Sequence, residues 1–152
     1  MIVAIILVLI VAIVLGLRQG GHKKTLKDNP NDRTALIKLF KSCDAPFTYE
    51  EAAEYGLKYL ESNPNDYEIM NYCAHGFAKT KSGPGLRKLL DNRIGDLESI
   101  IDDKSKMQEF VMKDKNFKTY AQNLFNYYSS TLTAFKETDR AKFYENKAKS
   151  IK

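Results

Sequence analysis

Tryptophan is absent from the chain, and cysteine and histidine occur only twice each. His22 and His75 lie far apart, and neither Cys43 nor Cys73 has a neighbouring cysteine. No metal-ligand spacing can be built from them, and neither a Walker loop nor a nucleophile elbow is present. Two cysteines make no disulfide scaffold. Reduced, buried thiols are expected, with a disulfide possible only if the fold brings the pair together. Concentrated charge of one sign is also missing: the net +5 is spread over 24 basic residues interleaved with 19 acidic ones. Nucleic-acid binding uses a denser patch and is not expected. The carboxylate pairs Glu50-Glu51 and Asp102-Asp103 fall at expected helix ends, where they compensate helix dipoles. Ser82-Gly83-Pro84-Gly85 lacks the lysine and hydroxyl of a phosphate loop and is expected to be a turn. No catalytic residue, metal or cofactor is therefore assigned, and the chain is expected not to be an enzyme.

What the chain has instead is one long apolar run. Ile2 to Leu17 is interrupted only by Gly16, and none of the first seventeen positions carries a charge. At 1.5 Å per residue this stretch covers roughly 25 Å, near the short end of what crosses a hydrocarbon core. The expected organisation is a transmembrane anchor over 1–18, a basic juxtamembrane linker over 19–28 and a helical domain over 29–152. Gly20-Gly21 is expected to loosen the exit from the membrane. Arg18, Lys23, Lys24 and Lys27 follow the run and favour a cytoplasmic domain with the amino terminus across the membrane. They are placed to meet anionic headgroups, at about 1 kcal/mol per cation, and Arg18 can snorkel to lengthen a short span. The alternative is a cleaved leader and a secreted or periplasmic protein. Against it, no basic residue precedes the run and no small-x-small cleavage pattern closes it.

A repeat organises the remainder. Asn29-Pro30-Asn31-Asp32 recurs unchanged as Asn63-Pro64-Asn65-Asp66, and 63 − 29 = 34. An Asn-Pro turn followed by a capping aspartate stops one helix and starts the next. A period of 34 residues is that of a helix-turn-helix repeat. The first helix is expected from Asp32 to Cys43, burying Leu36, Leu39, Phe40 and Cys43. Asp44-Ala45-Pro46 breaks it. Thr48 with Glu51 reads as a capping box opening a second helix whose face carries Ala52, Ala53, Gly56, Tyr59 and Leu60. A second unit starts at Asp66 with Met70, Cys73, Ala74 and Phe77. Leu86, Leu89, Leu90, Ile94, Leu97 and Ile101 follow as one amphipathic stripe. A short helix over Lys106 to Lys113 is expected to cover the core with Met107, Phe110 and Val111. A third unit is marked by Tyr120, Leu124, Phe125 and Tyr128, then by a helix capped by Thr138 or Asp139 and containing Ala141, Tyr144 and Ala148.

With Ala52 early in its second helix and Pro64 closing the unit, the first repeat resembles a tetratricopeptide repeat. The first helix departs from that pattern, having Leu36 and Phe40 in place of an aromatic and glycine pair. The resemblance implies an all-α solenoid of about three helical hairpins, with the first helix of each lining a concave, partner-binding surface. Asn71, His75 and Lys79 are spaced i, i+4, i+8 and share a face of the second unit. The same register puts Ile37 and Lys41 in the groove from the first unit, and Asn123, Asn126 and Ser130 from the third. Lysine and asparagine suit a peptide carboxylate or backbone, loosely like the carboxylate clamp of chaperone-binding repeats. Tyr127 and Tyr128 are adjacent and cannot both point inward, which leaves one for a partner. The expected function is a non-enzymatic adaptor or scaffold, such as an assembly factor or accessory subunit of a membrane complex. Its expected partners are a protein or peptide segment and, through the anchor, membrane lipid.

Overall fold

The computed structural model describes residues 16, 17 and 19–151, and every element among them is helical. All but the last two residues of the apolar run lie outside that set, as does Arg18. Among the described residues no helix is long and apolar enough to cross a membrane. The helices are α1 over 19–28, then α2 (Arg33–Lys41), α3 (Pro46–Ser62), α4 (Tyr67–Lys79), α5 (Gly83–Leu90), α6 (Ile94–Asp102), α7 (Lys104–Lys113), α8 (Phe117–Ala134) and α9 (Thr138–Ser150).

Both Asn-Pro-Asn-Asp segments act as starts. Asp32 accepts from the Ala35 amide at 2.8 Å and Asp66 from the Ile69 amide at 3.1 Å, each satisfying a free donor of the helix it opens. α4 lies at the centre, packed against α3, α5 and α8, while α8 pairs with α9. Phe40 stacks on Tyr72 at 5.2 Å and so ties α2 to α4. Small residues set the α3–α4 spacing. A methyl on Gly56 would lie 2.1 Å from Cys73 Sγ, and one on Gly76 would lie 2.8 Å from the Tyr49 carbonyl oxygen. Ala52 and Ala53 are fully buried on the same face of α3. One contiguous core results, including Leu36, Met70, Phe77, Leu97, Phe125 and Tyr128.

Five expectations change. The segment over 19–28 is a helix, because Leu26, 1% exposed, is seated in the core and Gln19 donates to the Ser42 carbonyl at 2.5 Å. Added methyls on Gly20 and Gly21 would meet nothing within 4 Å, consistent with a solvent-facing side of α1. α3 starts at Pro46, not Thr48. Proline has no amide to lose in a first turn, and the Thr48 hydroxyl closes that turn on Ala45. The leucine-isoleucine stripe is two helices, divided by a turn at Asp91-Asn92-Arg93. Asp91 is claimed there by Tyr128 and Arg87, and beyond it Ile100 is buried while Ile101 is half-buried. α9 is preceded by Glu137, and neither Thr138 nor Asp139 serves as its cap residue. α7 covers the core only partly: none of its residues is fully buried, and Met107, Phe110 and Val111 pack half-buried on it.

Candidate functional site

The face carrying Asn71, His75 and Lys79 borders a cleft between α4 and α8. The His75 imidazole is half-buried, with Nδ1 3.0 Å from the Tyr127 hydroxyl. Its ring meets Tyr49 edge-on at 5.8 Å and Tyr127 at 6.4 Å. Burial, and then the Lys79 ammonium, lower the His75 pKa, which favours neutral imidazole. Burial raises the Tyr127 pKa, so its hydroxyl keeps its proton. A neutral imidazole and a protonated hydroxyl sustain this bond in either tautomer, with Tyr127 donating to Nδ1 or Nδ1–H donating to the Tyr127 oxygen.

Two adjoining hollows make up the cleft. One, about 220 Å³, is lined by His75, Ala78, Lys79 and Tyr127. The other, about 280 Å³, shares Ala78 and Tyr127 and adds Lys81, Gly83, Leu86, Ser130, Thr131 and Ala134. Its floor is apolar and its rim polar, the pattern of a surface that takes a side chain and holds the attached backbone. Lys79 and Ser130 stand exposed on that rim. Asn71, one turn before His75 on α4, lines neither hollow; it is half-buried, and its Oδ1 is a buried acceptor with no partner among the described residues. Such an atom forfeits hydrogen-bond energy unless something donates to it.

The other expected groove residues are placed elsewhere. Asn123 and Asn126 line a separate hollow of about 270 Å³ with Gln122, Ala148 and Lys149, between α8 and α9. Ile37 packs half-buried against the core, and Lys41 is exposed in the last turn of α2. Neither lines the α4–α8 cleft. Tyr128 is the inward tyrosine, 0% exposed, donating to Asp91 at 2.8 Å and accepting from Arg140 at 2.9 Å. Of the expected membrane-facing cations, Lys23 is bound to Glu51 at 2.6 Å, while Lys24 and Lys27 are exposed along α1. Both cysteines are free thiols, Cys73 fully buried and Cys43 half-buried, and burial raises the pKa of each.

A third cleft, about 450 Å³, was not foreseen. Arg33 bonds Asp66 at 2.7 Å and Glu68 at 2.5 Å across its wall, and Tyr59 donates to Asp66 at 3.0 Å. Phe110, Phe117 and Tyr120 close the other side. The 34-residue period carried the signal, since positions about one period apart sit side by side in stacked hairpins. Arg33 meets Asp66, and Asn63 reaches Asn31 at 3.4 Å, for that reason. These charges satisfy one another and staple the two Asn-Pro-Asn-Asp loops, which makes the cleft structural. Among the described residues no cluster of histidine, cysteine and carboxylates is arranged to hold a metal. Comparison with known family models, curated proteins and solved structures finds no match to this chain.

Proposed function

We propose that this chain is a membrane-anchored, non-enzymatic adaptor that holds a polypeptide segment in the α4–α8 cleft at the cytoplasmic face. In this reading α2–α3, α4 with α5–α6, and α8–α9 are three hairpins of a tetratricopeptide-like solenoid. α2, α4 and α8 are then the first helices, and the cleft lies between two of them. The observation that carries the proposal is the cleft's composition. It combines an apolar floor, a His75 imidazole 3.0 Å from the Tyr127 hydroxyl and an ammonium at Lys79 that has no ion pair among the described residues. An extended peptide supplies the complementary groups: a carboxylate or carbonyl for Lys79 and an apolar side chain for the floor. An assembly factor or accessory subunit of a membrane complex would use such a surface.

Removing the rim groups tests this directly. His75→Ala combined with Lys79→Ala is expected to weaken capture of the partner from detergent-solubilised membranes about five- to thirtyfold, at about 1–2 kcal/mol for the lost polar contacts. Helical content is expected to stay unchanged. Undiminished capture by a folded double variant removes the cleft from the binding surface.

A further inference from the structure

The turns joining α2 to α3, α4 to α5 and α8 to α9 lie at one end of the bundle. α3 and α4 run antiparallel, with Gly76 against Tyr49, so the first turn of α3 stands level with the last turn of α4. A methyl on Gly83 would lie 3.1 Å from the Phe135 ring, which brings the other two turns together. α1 is attached at this same end, since Gln19 is bonded to Ser42 and Leu26 lies buried two turns further on. The apolar run therefore joins the domain here. α1 then carries Lys27 about 12 Å away along its axis.

Two apolar side chains at this end are exposed: Phe47 at 72%, and Phe135 at 43% with the Arg87 guanidinium 5.0 Å from its ring centre. Around them stand Lys41, Lys79, Lys81 and Lys136, exposed and without an ion pair among the described residues. Opposing them are the exposed carboxylates Asp44, Glu50 and Asp139. Glu51 is held by Lys23, and Glu137 by Arg87 and Arg140. Two of these lysines occupy an unusual backbone. Lys81 and Lys136, with φ of 56° and 64°, are the non-glycine residues with positive φ among those described. Each follows a helix closed by a six-to-one bond, Ser82 to Phe77 and Glu137 to Leu132, the position where glycine is preferred. Both turns carry lysine at a strained position where glycine would relieve the strain.

We infer that this end of the domain lies on an anionic phospholipid surface, an inference that rests on the anchored reading above. Lys41, Lys81 and Lys136 meet headgroup phosphates, and Phe47 and Phe135 enter the boundary between headgroups and acyl chains. The tether supplies proximity, so the contact has only to fix orientation. Lys79 and Lys81 also line the α4–α8 cleft. The cleft accordingly opens beside the membrane and takes a juxtamembrane segment.

The absence of native tryptophan permits a clean test. Phe47→Trp, Phe135→Trp and, in the opposite loop, Asn65→Trp are each placed in the full chain. The variants are reconstituted in phosphatidylcholine vesicles with or without phosphatidylserine, using acyl-brominated lipid as quencher. Tryptophan at 47 and 135 is expected to be quenched when phosphatidylserine is present, and tryptophan at 65 is not. Raised salt is expected to relieve the quenching, and so is Lys81→Glu with Lys136→Glu, by about fivefold in docked-to-free ratio per unit of charge, two units per substitution. Protein that floats with the vesicles while positions 47 and 135 stay as unquenched as 65 overturns the docking and leaves the anchor standing. That outcome opens this end to an acidic protein partner instead. Quenching that ignores phosphatidylserine overturns the role of the lysines. Protein that does not float with the vesicles overturns the anchor and this inference together.

Discussion

At the scale of single residues, His75 carries a pH dependence. Its pKa in the folded chain is lowered, so the unfolded chain binds the proton more tightly and protonation opposes folding. The stability tied to neutral His75 is fully present above the ordinary histidine value of about 6.5 and is lost as pH falls through the lower folded value. Thermal unfolding followed from pH 7.5 to about 5 should show a falling midpoint, flattened by His75→Gln. Lys81 and Lys136 make a second case. Lys81→Gly is expected to stabilise the fold by about 0.5–1 kcal/mol, because glycine meets no steric penalty at positive φ. Denaturant titration would register this as a higher midpoint at unchanged slope. Neither positive φ was legible in the sequence, since Thr80-Lys81-Ser82 carries no glycine at the strained position. The sharing of roles between Tyr127 and Tyr128 was partly legible. Adjacency on a helix forbade two inward rings, but which one went in depended on Asp91 and Arg140, both distant in sequence.

At the scale of elements, the contact between α3 and α4 is set by how closely two backbones approach. Gly76→Ala would place a methyl 2.8 Å from the Tyr49 carbonyl, a backbone atom that cannot rotate aside. A loss of about 1–3 kcal/mol is expected, read as an earlier urea midpoint. The small-residue face that enables this approach was visible as Ala52, Ala53 and Gly56, and both aspartate caps were visible in the repeated tetrapeptide. The break at Asp91-Asn92-Arg93 was not. A hydrophobic period persists through a turn when both flanking helices bury the same side, so periodicity alone reads two helices as one. Pro46 misled in another way. Proline stops a helix but is equally at home in the first turn of the next, and only the closing of the Thr48 hydroxyl on Ala45 distinguishes the two.

At the scale of the molecule, the all-helical character followed directly from periodicity and repeat length, whereas the distribution of site residues did not. Counting i, i+4, i+8 along α4 put Asn71, His75 and Lys79 on one face, of which His75 and Lys79 line the cleft. Extending that register to α2 and α8 assumed equivalent rotations of all three helices about their axes. The structure instead puts Ile37 against the core and Asn123 beside α9; of the groove residues expected from the other units, Ser130 lines the cleft, next to Tyr127, Thr131 and Ala134. The central claim is that this cleft holds a polypeptide. Its most direct measurement is site-specific photo-crosslinking in intact membranes, with the photoreactive side chain at Ser130 on the rim or at Lys142 on the exposed side of α9. A discrete polypeptide adduct from position 130, lost on His75→Ala with Lys79→Ala and absent from position 142, is the predicted result. No adduct at 130, or the same adducts from both positions, would contradict it.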